Sequence, residues 1–144
     1  MGNRNNFNEA TETLRRFYAV VDKKPHNRDA LNAFFTDNFK DHNRPPAPAE
    51  ISDRDVVLNL FYQLNRGFPD AKHELIIVEP IENDRAMVYW KFSGTHSGSF
   101  FDMPASENSV AINGVDIVRV NDGKFIEQWH VEELASLFAQ MGAK

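Results

Sequence analysis

The sequence predicts an α+β domain in which helices pack on one face of an antiparallel sheet. Segments with a 3.6-residue apolar repeat fill the first half of the chain, and segments of strand composition fill the second. Helices first and strands after favour this class over alternating βα units. Asp122-Gly123, lying between two apolar runs, adds a hairpin signal.

Residues 8–23 read as a helix, because Leu14, Phe17, Tyr18 and Val21 recur at i, i+3, i+4 and i+7 and Pro25 ends the pattern. Asn27 is placed to cap a short second helix with Leu31, Phe34 and Phe35 on its inner side. Asp37-Asn38 reads as a turn. Residues 39–50 then read as a proline-rich loop and a candidate pocket rim. Ser52 starts a third helix, with Asp55 as a variant capping partner and Val57, Leu60, Phe61 and Leu64 as its stripe; Gly67 and Pro69 stop it. Four strands follow over 72–80, 85–98, 109–120 and 124–131, and a short helix over 133–141 closes the chain. The last two strands are apolar at both sets of alternate positions, whereas a sheet with one buried face alternates more cleanly. One face is therefore expected to meet the helices and the other a partner subunit.

A chain of 144 residues suits one domain, 1–144, with one sizeable core. The net charge of -5, with no Lys/Arg cluster, argues against nucleic acid as a partner. No cysteine is present, which excludes disulfides, thiolate zinc sites and cysteine nucleophiles. The longest apolar run falls far short of the roughly 20 residues of a membrane helix. The first residues lack a signal-peptide pattern, and Met1-Gly2 is followed by Asn6 where acylation wants Ser or Thr. A cytoplasmic location is the expectation. The 12 Phe, 2 Trp and 3 Tyr suit an aromatic core and equally a pocket for a flat organic ligand.

Four positions are candidates for chemistry. Asp116 lies mid-strand among Val115, Ile117 and Val118. Aspartate is depleted in strands and costly to bury alone. It is either a general base whose pKa is raised by desolvation or a carboxylate paired for structure. His130 shares its face if residues 121–123 form a three-residue hairpin loop. Asp116 then faces Gln128, and His130 is one diagonal step away, roughly 7–8 Å. A two-residue Asp-Gly turn shifts the register by one and puts His130 on the other face. His96 ends an aromatic stripe with Trp90 and Phe92, and His42 lies in the proline-rich loop. Asp116, His130 and His96 are the candidate catalytic residues; His42, Trp90, Phe92, Gln128 and Trp129 are the candidate substrate contacts. The histidines lack the short fixed spacing of metal ligands, so no metal is expected. Gly-x-Ser-x-Gly is absent.

Gly94-Thr95-His96 with Gly98, Gly114-x-Asp116-Ile117-x-Arg119, Asp122-Gly123-Lys124, Glu127-x-Trp129 and the closing Gln140-Met141-Gly142 form a combined pattern. Asp41-His42-Asn43 and Gly67-Phe68-Pro69-Asp70 extend it over nearly the whole chain. The pattern resembles the SnoaL-like polyketide cyclases of the nuclear transport factor 2-like superfamily. The resemblance implies a cone-shaped fold, a curved sheet wrapped by N-terminal helices around a pocket, and a homodimer or higher homo-oligomer. It also implies cofactor-free aldol closure of an aromatic polyketide ester, in which an acidic side chain takes the α-proton. The chain departs from the family at His130, where Asp or Asn is usual after the Trp, and at Glu133, where Asp is usual. Pro104-Ala105-Ser106-Glu107 stands where the family shows Pro-Pro-Thr-Gly. The expected function is acid–base chemistry on a small carbonyl or aromatic polyketide ligand, with Asp116 or His130 as base and His96 or His42 as oxyanion donor. The alternatives are a non-catalytic binding protein, or an isomerase, dehydratase or epoxide hydrolase in the same cone.

Overall fold

A computed structural model describes residues 8–142. The first three helices begin at side-chain caps. The Asn8, Asn27 and Ser52 oxygens accept from the backbone N–H of Thr11, Ala30 and Asp55, opening α1 (Glu9–Val21), α2 (Arg28–Asn32) and α3 (Asp53–Gly67). Strands β2 (Lys72–Pro80), β3 (Arg85–Thr95), β4 (Ser109–Asn121) and β5 (Lys124–Glu132) form the antiparallel part of one sheet, and α4 (Leu134–Gln140) follows. The reading of residues 1–6 lies outside the described residues. Among the described residues, no helix is long and apolar enough to cross a membrane.

The sheet has five strands, in the order β1-β5-β4-β3-β2, where four were expected. The additional strand, β1 (Phe35–Asp41), runs parallel to β5 and occupies the stretch read as a turn and the start of a loop. Its sequence, FTDNFKD, is rich in strand-poor residues. As an edge strand it needs burial on one side only, and Phe35, Phe39 and Asp41 provide that side. Phe34 and Phe35 consequently lie past the end of α2. The loop reading holds for 42–50.

One sheet face carries the core. Val110, Ile112, Gly114, Asp116, Val118 and Val120 of β4 all point to it, as do Ala86, Val88, Trp90 and Phe92 of β3. Helices α1 and α3 cover it. Phe17 is their pivot, in edge-to-face contact with Phe34, Phe35, Phe61 and Phe125 at ring separations of 5.2–5.6 Å. The opposite face has two apolar rows across the strands, Ile77–Tyr89–Val115–Val131 and Met87–Ile117–Trp129. Val131 is 72% exposed.

The β4–β5 hairpin resolves the register. Asp122 and Gly123, both at positive φ, form a two-residue turn between paired Asn121 and Lys124. That turn alone would send His130 outward. A bulge follows at once, with Val120 opposite Phe125 but Arg119 opposite Glu127, and the extra residue restores the parity. Asp116 therefore pairs directly with His130, not with Gln128, and both share the core face. The same bulge turns Trp129 outward.

Gly114 lies beneath the Trp90 ring, and a Cβ there would sit 2.3 Å from Cζ2 of the indole. Gly114→Ala is therefore expected to push the ring off its seat and cost about 1–3 kcal/mol, as overpacking does. Urea denaturation followed by tryptophan fluorescence measures it; a variant as stable as the parent would contradict this packing.

Candidate active site

Between the core face and helices α3 and α4 lies a cavity of about 120 Å³ with largely apolar walls. Leu60 and Leu64 come from α3, Leu134 and Leu137 from α4, and Pro45 from the loop after β1. Five polar or charged side chains of the sheet, His73, Asp116, Gln128, His130 and Glu132, reach the same space, with Tyr18 from α1. A few convergent polar groups on an apolar wall are the usual make-up of a small-molecule site.

Asp116 is fully buried on β4. Tyr18, on the inner stripe of α1, donates its hydroxyl hydrogen to Oδ2. Among the described residues the buried Trp90 indole N–H has no partner at hydrogen-bonding geometry, but it lies close enough to Asp116 to favour the carboxylate's charge. Burial is the largest influence on Asp116 and raises its pKa above the ordinary aspartate value; Tyr18, Trp90 and the positive charge of His130 oppose it in part. The phenol of Tyr18 is pushed well above its usual range, first by burial and then by the Asp116 charge. Tyr18 is thus a permanent donor and Asp116 a base of increased strength.

His130 lies between two carboxylates. Its Nε2 meets Asp41 at 2.9 Å and its Nδ1 meets Glu132 at 2.8 Å. Burial alone would lower its pKa, but the bonds to Asp41 and Glu132 overcome this and raise it to about 10. At neutral pH both ring nitrogens carry protons and both are donated. An imidazolium held in this way has no lone pair with which to accept a proton. The end of β1 fixes this arrangement. Asn43 donates its backbone N–H to Asp41 Oδ1, and the Asn43 side-chain oxygen accepts from the His130 backbone N–H, each at 2.8 Å.

The structure brings Asp116, His130, Gln128, Trp90 and Phe92 to the cavity wall and leaves three sequence candidates elsewhere. Trp129 points to the opposite sheet face, and the His42 ring stacks on it at 4.5 Å while Nε2 meets Glu127 at 2.7 Å. His96 is buried beside Phe68, outside the cavity lining; the Ser106 backbone N–H donates to its Nδ1. Three residues that sequence reasoning missed belong to the site or directly behind it. His73 is anchored by Asp22, Glu132 flanks His130, and Asp41 stands behind it. Tyr18 was seen only as part of an apolar stripe. Among the described residues, no group of three His, Asp or Glu side chains has the geometry to hold a metal ion.

A family model described as SnoaL-like polyketide cyclase matches residues 11–141. No curated protein matches the sequence. Solved structures do. A proposed polyketide cyclase from Bacillus cereus ATCC 10987 aligns over 93% of this chain and 80% of its own, at 24% identity and a TM-score of 0.75. A proposed SnoaL-like polyketide cyclase from Jannaschia sp. CCS1 aligns over 100% and 99%, at 19% identity and a TM-score of 0.77. A protein with a ketosteroid isomerase-like fold from Catenulispora acidiphila DSM 44928, solved with trimethylamine, aligns over 94% and 95%, at 14% identity and a TM-score of 0.70. At these identities the likeness shows the fold, a nuclear transport factor 2-like α+β cone with a curved, unclosed sheet.

Proposed function

Because this chain belongs to the SnoaL-like polyketide cyclase family, we propose that it catalyses a cofactor-free, aldol-type closure or addition on a small carbonyl compound, with Asp116 as general base. One observation carries the reading. A carboxylate of raised pKa, held by a tyrosine, stands on the wall of a largely apolar cavity. Such a base takes an α-proton more readily than a solvated aspartate, because desolvation has already been imposed on its charged form. His130, as a fixed imidazolium, favours the negative charge that develops on the substrate. Its other task is to neutralise Asp41 and Glu132.

The cavity volume bears on substrate class. An apolar cavity of about 150 Å³ accepts a benzene ring, whereas drug-sized ligands occupy about 300 Å³ or more. At about 120 Å³, this one favours a single-ring or short-chain carbonyl compound over a fused polycyclic ester. Thermal unfolding in the presence of single-ring ketones, steroids and aromatic polyketides tests this, since a ligand of the native state raises the melting temperature. The single-ring compounds are expected to give the largest shifts, and mass spectrometry is expected to find the bound compound changed. A ligand recovered intact would point instead to a binding protein.

The outer sheet face suits a second copy of the chain. Its two apolar rows are flanked by polar ones, Arg119–Glu127 on one side and Glu74–Lys91–Asn113 on the other. An apolar centre with a polar rim is the make-up of an interface. Light scattering at micromolar concentration is expected to give a dimer or higher oligomer; a monomer would refute this.

A further inference from the structure

We propose that His73, oriented by Asp22, is the proton donor to the acceptor carbonyl oxygen, in the cavity that Asp116 also lines. This inference rests on the reading of Asp116 as base. It fills a role for which the structure leaves His96 and His42 badly placed, since neither lines the cavity.

The argument begins with anchoring. Asp22 closes the C-terminal end of α1, just before the chain turns at Pro25. One of its oxygens accepts the His73 backbone N–H at 2.6 Å, and the other meets Nδ1 of the ring at 2.8 Å. Both ends of His73 are thus tied to one carboxylate 51 residues away in sequence. A ring that donates Nδ1–H to a carboxylate has its orientation and tautomer fixed, which leaves Nε2 as the edge that can exchange a proton with a ligand.

The free edge of the ring comes next. Among the described residues His73 Nε2 has no hydrogen-bond partner, yet it is not among the sealed, unpartnered atoms as Trp90 Nε1 and His96 Nε2 are. The side chain is only 4% exposed and lines the cavity. The accessible edge therefore belongs to the pocket. Aromatic rings hold it there: Tyr18 at 4.9 Å, Phe92 at 5.2 Å and Trp90 at 5.8 Å. Tyr18 touches both halves of the site, its ring against His73 and its hydroxyl on Asp116.

The proton balance closes without a co-reactant. The α C–H bond breaks and its proton passes to Asp116. The electron pair forms the new C–C bond, and the π pair of the acceptor carbonyl moves onto oxygen, which takes the Nε2 proton of a His73 that enters the step protonated at both ring nitrogens. The product is an isomer of the substrate, and water carries the proton from Asp116 back to His73. Asp22 is the positioning residue.

The probe is 4-nitrophenol, a single-ring mimic of an oxyanion whose colour reports its ionisation. At a pH where the free phenol is mostly neutral, the full-length protein is expected to bind it as phenolate. His73→Gln is expected to lower the ionisation of the bound phenol at least about tenfold, the effect of losing one charge-assisted hydrogen bond. Asp22→Asn should act in the same direction, and ¹⁵N NMR should show the His73 ring nitrogens shifting when the probe binds. Asp116→Asn should leave the phenolate as stable or more so. Ionisation unchanged in His73→Gln, with melting curves showing a folded protein, overturns the inference and spares Asp116. Loss of phenolate in Asp116→Asn alone means that the roles are exchanged, which also overturns it. If the parent protein neither binds the probe nor changes its melting temperature, the reading of the cavity itself is wrong and the inference falls with it.

Discussion

His130→Leu is expected to destabilise the protein by about 3–5 kcal/mol, the usual consequence of removing one partner from a buried ion pair. Leucine matches the volume well enough, but Asp41 and Glu132 would be left facing an apolar side chain with no counter-charge. The Asp41 side chain is only 2% exposed. The effect carries a pH signature. The unfolded chain releases the His130 proton near 6.5, whereas the folded protein holds it to about 10. Stability from the imidazolium is therefore complete below pH 6.5. Above it the unfolded state binds fewer protons than the native state, and stability falls by up to about 1.4 kcal/mol per pH unit until the folded pKa is passed. Urea denaturation of the parent at about pH 7 and about pH 9 should show this loss. The same experiment on His130→Gln should give a flatter profile from a lower start. A parent profile flat over that window would mean that the imidazolium is not held as described.

The sequence made one half of this site legible and hid the other half for identifiable reasons. Asp116 was conspicuous because a carboxylate among β-branched residues requires a partner, and Tyr18 was on the right face because a helical stripe is a local pattern. The parity of β5 was not local. It depends on a bulge directly after the Asp122-Gly123 turn, and no residue there announces one: Ile126 is an ordinary strand residue. That single residue decides that Gln128 and His130 face inward while Trp129 and its stacking partner His42 face outward. β1 was missed because edge strands tolerate Asp and Asn, and with it went Asp41, the counter-ion of His130. His73 was invisible because its partner lies beyond a helix end, a proline turn and the whole of α3. Pairings within an element or across a turn can be read from spacing; those made by closing the fold cannot.

Asp116→Asn is expected to reduce turnover by about 10²–10⁴-fold, the usual share of a positioned general base, while leaving the protein as stable as the parent or more so. The two effects have one cause. Burial raises the Asp116 pKa because the charged form is penalised in the folded protein relative to the unfolded chain. Stability associated with this group is greatest at low pH, below the unfolded pKa, and is lost as pH rises through the raised folded value. Above the unfolded pKa, holding Asp116 in the folded protein is therefore a standing cost. Asparagine removes the charge and keeps an oxygen to accept the Tyr18 hydroxyl, so the penalty disappears and the hydrogen bond remains. A residue whose replacement strengthens the fold and abolishes the reaction is one kept for chemistry. Paired urea denaturation and product assays on the best compound from the ligand panel measure both sides. If Asp116→Asn were markedly destabilised and still active, the carboxylate would be a structural partner of Tyr18 and His130, and the base would have to be sought in another titratable group of the cavity wall, His73 first.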